Sequence, residues 1–218
     1  MSGFECTESM SLSRLQRRVS TLVFALSEAD SFALAGGGAL IAHEVVDRTT
    51  RDLDCFGPSL DAVDRFWPAI HACRSPMNSR LTFAKRATDS PILDPTTRET
   101  TQVDVGFDPA GRPTISTAIG PVRALEDLAG DKLLALFGRA APRDFVDVFS
   151  LRVRFDRRDL EGFAVAKDRG FNLGVLGDAF GVLRSLPRSS FEVDDTQFAN
   201  MTAEFADWRA DLTKRDSP

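Results

Sequence analysis

The sequence predicts an α+β protein, with a mixed β-sheet and flanking helices in its N-terminal half and a helical bundle in its C-terminal half. Strand-like segments separated by Gly, Pro and Asp turns occur only before residue 125. Beyond residue 125 the apolar residues recur at helical spacing. No internal repeat or low-complexity linker separates the halves. We therefore expect two closely associated domains, residues 1–125 and 126–218.

The N-terminal half is expected to alternate between helices and strands. Apolar residues from Leu12 to Leu26 predict an amphipathic helix over residues 11–29. The segment SFALAGGGALIAHEVV predicts a strand, a glycine turn and a helix, and RDLDCF predicts a second strand. Ser59 is expected to start a further helix, which Pro68 kinks or shortens. The remaining predicted strands are SRLTFAKRA, ETTQVDVGFD and TISTAI.

Five helices are expected in the C-terminal half. They cover residues 131–139, 143–154, 157–168, 173–186 and 196–212. Pro142 lies where the second of them would begin, a position that tolerates proline because the first helical N–H has no intrahelical partner.

The composition is that of an ordinary globular protein. Hydrophobic residues make up 43% of the 218 residues, and the net charge of −5 argues against a general attraction to nucleic acid. The three cysteines include no C-x-x-C pair, which argues against a disulfide framework or a zinc site. No segment reaches the roughly 20 apolar residues of a membrane helix, and we find no signal peptide. We therefore expect a cytoplasmic location and no membrane partner.

The strand RDLDCF carries two carboxylates on one face. Because side chains alternate along a strand, Asp52 and Asp54 point the same way and the intervening apolar side chains face the core. In TQVDVGFD the same alternation places Asp104 opposite the apolar face of Val105 and Phe107. If the two strands are neighbours, three carboxylates converge, and such hard oxygen ligands suit two magnesium ions. An exposed strand edge is the alternative interpretation of either motif taken alone.

A glycine-rich segment precedes this strand. AGGGAL lies between a predicted strand and helix, where glycines let backbone N–H groups approach a phosphate. It is neither a Walker motif nor a dinucleotide fingerprint, and a triple glycine alone is usually a tight turn. The combination with Arg48, Thr50 and the two aspartates is more specific. Thr50 lies on the aspartate face, where its hydroxyl can bind a phosphate oxygen.

Two segments resemble the AbiEii/MenT-like nucleotidyltransferase toxins of type IV abortive-infection toxin–antitoxin systems. GGGALIAHEVVDRTTRDLDCF is similar to the first family motif, with matches at Gly36, Gly37, Ala39, Leu40, His43, Arg48, Thr50, Asp52 and Asp54. LEDLAGDKLLALFGRAAPRDFVDVFSL is similar to the later motif, with matches at Lys132, Ala135, Arg139, Arg143, Asp144 and Asp147. The resemblance spans residues 32 to 151. It implies a nucleotidyltransferase core whose active-site cleft is completed by the helical domain.

The resemblance also implies roles for individual residues. The implied metal ligands, for Mg²⁺ or alternatively Mn²⁺, are Asp52 and Asp54, and the strand pattern adds Asp104 as the expected third ligand. The implied ligands of the NTP substrate are Gly36, Gly37, Arg48, Thr50 and Lys132.

The implied catalytic residues include Lys132 and one acid of the helix that begins near Pro142. We expect Lys132 to neutralise charge on the leaving pyrophosphate, and Asp52 and Asp54 to act in catalysis through the metal that they hold. Asp147 is the predicted acid of that helix, but the motif does not distinguish it from Asp144, and Asp104 is a further candidate for the third functional acid.

The implied activity is transfer of NMP from an NTP to an RNA acceptor, a tRNA 3′ end, which blocks translation and releases pyrophosphate by a two-metal mechanism. A cognate antitoxin is the implied partner. Two alternatives stay open: a nucleotidyltransferase acting on a protein or small-molecule hydroxyl, and a non-catalytic nucleotide-binding regulatory module. The basic segment LRVRFDRRD could contact an RNA backbone, although paired charges on a solvated helix face are the favoured interpretation.

Overall fold

The protein is described by a computed structural model that covers residues 12–46, 48–72, 92–94 and 97–215. It confirms the predicted α+β class, with a mixed sheet and flanking helices. The chain divides into two compact units, Met1–Ala124 and Leu125–Pro218. The predicted strand SRLTFAKRA lies outside the described residues, as do Cys6 and Cys73. Across the described ranges, no helix is both long enough and apolar enough to cross a bilayer.

The first unit contains a mixed β-sheet. In chain order its strands are β1 (Ala33–Ala35), β2 (Asp52–Gly57), β3 (Ile92–Leu93), β4 (Thr100–Phe107), β5 (Ile115–Thr117) and β6 (Gly120–Val122). Their spatial order is β3-β4-β2-β1-β6-β5, so the two-residue β3 extends a five-strand sheet at the β4 edge. The strands pair in parallel at β2–β4 and β1–β6 and antiparallel elsewhere. This topology makes β2 and β4 neighbours although they are distant in the chain.

The helices of this unit are α1 (Arg14–Val23), α2 (Gly36–Ala42) and α3 (Leu60–Ala72). The first is shorter than predicted, because residues 24–26 leave the helix and only a 3₁₀ turn, Ser27–Ala29, follows. Ser59 caps α3 as expected, since its hydroxyl accepts a hydrogen bond from the backbone of Ala62 at 3.1 Å. Pro68 does not end α3. Phe66 and Ile70 are fully buried on either side of it, and their packing offsets the lost backbone hydrogen bond.

The strand β6 is missing from the sequence-based prediction. Gly120 and Pro121 indicate a turn, yet Leu34 of β1 pairs with Val122 in the sheet. Gly120 has a φ of +115°, and a Cβ there would lie 2.5 Å from the Phe24 ring. Only glycine fits this crowded position, and the long-range pairing with β1 recruits the residues after it into the sheet.

The second unit is helical. Its helices are α4 (Leu125–Arg139), α5 (Pro142–Leu151), α6 (Arg157–Lys167), α7 (Leu173–Val182) and α8 (Asp195–Arg215). All five predicted helices are present with shifted ends. The largest shift is in α4, which begins six residues before the predicted start and carries Glu126 and Asp127 in its first turn, where acids complement the helix dipole.

Aromatic side chains fill the core of this helical unit. Phe205 on α8 contacts Phe145 edge-on, with ring centroids 5.1 Å apart, and Phe180 lies 5.0 Å from both Phe205 and Trp208. The buried Glu161 accepts a hydrogen bond from the indole of Trp208 at 2.9 Å and pairs with Arg215 at 2.8 Å. The buried charge is therefore hydrogen-bonded and paired, as a low-polarity interior requires.

Candidate active site

The strand β2 separates a core face from a polar face. Leu53 and Cys55 are each 1% exposed, whereas Asp52 and Asp54 are half-buried on the opposite face. The predicted alternation is therefore confirmed. Burial, followed by the charges of Asp54 and Asp104, raises the pKa of the Cys55 thiol far above its ordinary value, so this cysteine is a neutral core residue.

The third carboxylate lies beside the other two. β4 pairs in parallel with β2, and the register places Asp104 directly opposite Asp54, with Gln102 opposite Asp52. Neighbouring strands lie about 4.8 Å apart, so two carboxylates share this small region of the sheet surface. The predicted apolar face of β4 holds at Val105 and fails at Phe107, which is 50% exposed at the end of the strand.

The crowding of carboxylates affects Asp104. Burial raises the pKa of Asp104 above its ordinary value, and the charge of Asp52 raises it further. The amide of Gln102 acts in the opposite direction, because it donates a 3.0 Å hydrogen bond to Asp104 Oδ1 and so favours the charged form. A cation at this face would relieve the repulsion between these like charges.

The chemistry of the donor set fits a hard divalent cation, because carboxylate oxygens are the ligands that Mg²⁺ prefers. As placed, however, no three His, Cys, Asp or Glu side chains among the described residues are grouped tightly enough to hold a metal ion. Two of the carboxylates are engaged in neutral hydrogen bonds: Asp52 accepts from Thr50 at 2.9 Å, and Asp104 accepts from Gln102. On metal binding, the oxygens of Asp52 and Asp104 would have to give up these hydrogen bonds and coordinate the metal instead.

The glycines lie against the same face. They form the first turn of α2 rather than a separate turn before it, which corrects the prediction. Gly36 has a φ of +58°, and a Cβ there would lie only 1.7 Å from Asp54 Oδ2. A Cβ on Gly37 would lie 3.0 Å from the Thr50 hydroxyl and 3.1 Å from the Arg48 guanidinium. The absence of side chains brings the backbone of α2 next to the polar groups of residues 48–54.

Six predicted site residues of the first unit therefore lie together around the N-terminal turn of α2 and the start of β2. They are Gly36, Gly37, Arg48, Thr50, Asp52 and Asp54. Asp104 joins them from β4 through its pairing with Asp54. The result is a patch of backbone, hydroxyl, guanidinium and carboxylate groups.

The predicted residues of the second unit form two ion pairs between α4 and α5. Lys132 Nζ lies 2.9 Å from Asp147, whose side chain is fully buried while that of Lys132 is 12% exposed. Arg139 binds Asp144 through two hydrogen bonds of 2.8 and 2.7 Å, and the Ala141 backbone donates a third to Asp144. Asp144 thus caps α5 and fixes Arg139, whereas Asp147 orients Lys132.

A protein-family model described as the nucleotidyl transferase AbiEii toxin of type IV toxin–antitoxin systems matches residues 22–216. The chain belongs to this family. It is therefore a nucleotidyltransferase of the toxin type, and NTP and an antitoxin are the substrate and partner that the family implies. No curated protein sequence matches the chain significantly.

Solved structures agree with the family assignment at the level of the fold. JHP933 from Helicobacter pylori is 18% identical, with a TM-score of 0.54 over 94% of this chain and 96% of its own. MenT4, a nucleotidyltransferase toxin from Mycobacterium tuberculosis H37Rv, is 18% identical, with a TM-score of 0.57 over 94% of this chain and 84% of its own. At these identities the comparison shows a shared fold.

Three side chains that support the AbiEii-type site were not predicted as site residues. Gln102 holds Asp104, as described above. His43 forms a 2.7 Å hydrogen bond with the carbonyl of Arg123, which ties the end of α2 to the residue after β6. Gln16 on α1 donates a 2.8 Å hydrogen bond to the carbonyl of Thr50. For Gln16 the only sequence signal is its place three residues after the capping Ser13.

Proposed function

We propose that this AbiEii-family protein transfers NMP from an NTP to an RNA acceptor, with a tRNA 3′ end as the acceptor and pyrophosphate as the leaving group. The observation that carries the proposal is the pairing of Asp54 with Asp104 directly beside the side-chain-free turn at Gly36. Carboxylates that face a close-approaching backbone turn are an arrangement suited to a metal-bound triphosphate.

The roles of the residues follow from their chemistry. Asp52, Asp54 and Asp104 would hold Mg²⁺, which would activate the attacking hydroxyl and stabilise the leaving pyrophosphate. Gly36 and Gly37 let the backbone of α2 lie close to Asp54 and Thr50, where any side chain would collide or crowd, so its N–H groups would reach a triphosphate bound there. Thr50 and Arg48 supply a hydroxyl and a guanidinium, both of which bind phosphate oxygens.

For Lys132 the family resemblance implies a role at the leaving pyrophosphate, which stays a prediction. Its ion pair with the buried Asp147 supports a fixed orientation, because a buried carboxylate restricts a lysine that would otherwise sample many rotamers. Asp144 is fully engaged by Arg139 and the backbone of Ala141, which favours Asp147 as the functional acid of α5.

The basic segment 151–159 bears on the choice of acceptor. Within this segment, Arg152 and Arg157 both form ion pairs with Glu204, at 2.8 and 2.9 Å. These two arginines therefore stabilise the helical unit. A protein hydroxyl or a small molecule such as an aminoglycoside is the alternative acceptor class. Incubation with the same labelled NTP and each kind of acceptor distinguishes these classes, because only the true acceptor becomes labelled.

The decisive experiment is incubation of the protein with each labelled NTP, Mg²⁺ and total tRNA. We expect label in the tRNA 3′ end and a loss of about 10³-fold or more in Asp54→Asn, because the metal contribution to such a transfer is several kcal/mol. Asp61→Asn, which removes an exposed carboxylate on α3, is the matched control. We expect it to retain wild-type transfer.

Three outcomes would contradict the proposal in different ways. Label in a protein or drug acceptor instead of tRNA would replace the acceptor class. NTP binding without any transfer would favour a regulatory module. Transfer that is undiminished in Asp54→Asn would remove the carboxylates from the mechanism.

A further inference from the structure

The helix α1 carries two polar side chains on its buried face. Gln16 and Ser20 are 4% and 1% exposed, one helical turn apart, on a face that otherwise buries Leu15, Val19 and Val23. Burial of an amide or a hydroxyl is unfavourable unless each polar group finds a hydrogen-bond partner. The partners of these two side chains therefore indicate what α1 holds in place.

Each side chain is bound to a different part of the first unit. Ser20 donates a 2.7 Å hydrogen bond to the carbonyl of Ile119, in the turn between β5 and β6. Gln16 accepts a 3.0 Å hydrogen bond from the backbone of Ser13 through its amide oxygen, and its amide nitrogen donates to the carbonyl of Thr50. Both ends of the Gln16 amide are thus used, one for the helix cap and one for Thr50.

The backbone around Thr50 is held in place by hydrogen bonds from other segments of the chain. Residues 48–50 belong to no helix or strand. The carbonyl of Arg51 is held from β4 by the backbone of Gln102 and the hydroxyl of Thr101, both at 3.2 Å. The preceding carbonyl, that of Thr50, is held by Gln16 of α1. This segment is therefore clamped between β4 and α1 immediately before Asp52.

We propose that Gln16 is a positioning residue for nucleotide binding, an inference that rests on the proposed function. By fixing the Thr50 carbonyl, Gln16 sets the direction of the Thr50 side chain, whose hydroxyl donates to Asp52 Oδ1 at 2.9 Å and lies beside Gly37. Without the hydrogen bond from Gln16, the backbone at Thr50 is free to shift, and the positions of the Thr50, Asp52 and Arg48 side chains relative to one another are no longer fixed. Gln16 precedes the family match, which begins at residue 22.

The substitution Gln16→Glu separates this role from helix capping. A carboxylate can still accept the hydrogen bond from the Ser13 backbone, as in the usual capping box, but it has no N–H for the Thr50 carbonyl. Gln16→Met has a similar length and removes both hydrogen bonds without adding a charge. Ser20→Ala is the matched control, because it removes one buried hydrogen bond from the same helix face at a point anchored to Ile119.

The measurements are the Kd for a non-hydrolysable NTP with Mg²⁺, the KM values for NTP and for the RNA acceptor, and Tm. We expect Gln16→Glu and Gln16→Met to weaken NTP binding about fivefold relative to Ser20→Ala, the effect of one hydrogen bond. KM for NTP should rise in parallel and KM for RNA should not. Ser20→Ala should lower Tm and leave the Kd for NTP within about twofold of wild type.

The inference is overturned if both Gln16 variants bind NTP as Ser20→Ala does, or if KM for RNA rises together with KM for NTP. It is also overturned if neither Gln16 variant folds, since Gln16 would then be required by the fold itself. A wild-type protein that binds no NTP would instead remove the proposed function. The two failures are therefore distinguishable.

Discussion

At the scale of single residues, Gly36 is the position in the candidate site at which a side chain is least tolerable. Its φ of +58° lies in the left-handed region, which costs an L-residue about 1–2 kcal/mol. The space where a Cβ would stand is already taken by the carboxylate of Asp54, 1.7 Å away. Backbone conformation and packing thus impose the same requirement for glycine.

We expect Gly36→Ala to destabilise the protein by about 2 kcal/mol and to reduce NMP transfer by about 100-fold, because Asp54 must move to admit the methyl group. Gly38→Ala is the control on the same helix, since the three atoms nearest to a Cβ there belong to Leu34, Leu53 and Leu12 and lie at ordinary contact distances of 3.4–3.7 Å. Thermal unfolding and the transfer assay check both variants. A Gly36→Ala protein with wild-type transfer would contradict the close approach of α2 to Asp54.

At the scale of secondary-structure elements, Glu204 joins three helical segments. This residue of α8 binds Arg152 after α5 and Arg157 at the start of α6, and both guanidinium groups lie 5.9 Å from the Trp208 ring. The hydrogen bond from Arg157 is the main cause that lowers the pKa of Glu204 below its ordinary value, and Arg152 adds to it while partial burial opposes it. The charged form of Glu204 therefore stabilises the folded unit.

We expect Glu204→Gln to lower the free energy of unfolding by about 1–2 kcal/mol at pH 7. Because the folded pKa is lowered, the contribution of the carboxylate is complete above its ordinary pKa of 4.5 and is lost as the pH falls through the folded value. The difference between wild type and Glu204→Gln should therefore shrink below about pH 4.5 in denaturant titrations.

Asp211→Asn is the control for Glu204→Gln, because the half-exposed Asp211 on the same helix forms a longer ion pair with Arg215, at 3.5 Å. We expect it to change the free energy of unfolding by less than about 0.5 kcal/mol at any pH. An equal loss in both variants would show that Glu204 acts as an ordinary surface charge.

At the scale of the whole molecule, each compact unit contains long-range contacts of its own. In the unit Leu125–Pro218, the rings of Phe145, Phe180, Phe205 and Trp208 contact one another. The ion pairs of Lys132, Arg139, Glu161 and Glu204 likewise join residues of this unit alone.

We expect residues 125–218 to fold when expressed alone, because their aromatic core and paired charges come from within the segment. Far-ultraviolet circular dichroism should show a helical protein with a single cooperative thermal transition. Trp208→Ala should abolish that transition, since removal of a buried aromatic ring costs about 3–5 kcal/mol. A segment without cooperative melting would mean that this unit depends on the rest of the chain.

The sequence could predict those parts of the candidate site that depend on local periodicity. The common face of Asp52 and Asp54 follows from the two-residue repeat of a strand, and the five C-terminal helices follow from apolar spacing. Helix ends were less predictable, as α1 and α4 show, because residues near an end are held by tertiary contacts as much as by propensity.

By itself, the sequence determined the α+β class, the family and the residue types gathered at the candidate site. Only the tertiary structure decided that Asp104 faces Asp54, that Gln16 holds Thr50 and that Lys132 pairs with Asp147. The physical reason is that side-chain direction along a strand or helix is set by local backbone geometry, whereas strand register and contacts between distant segments are set by the packing of the whole unit.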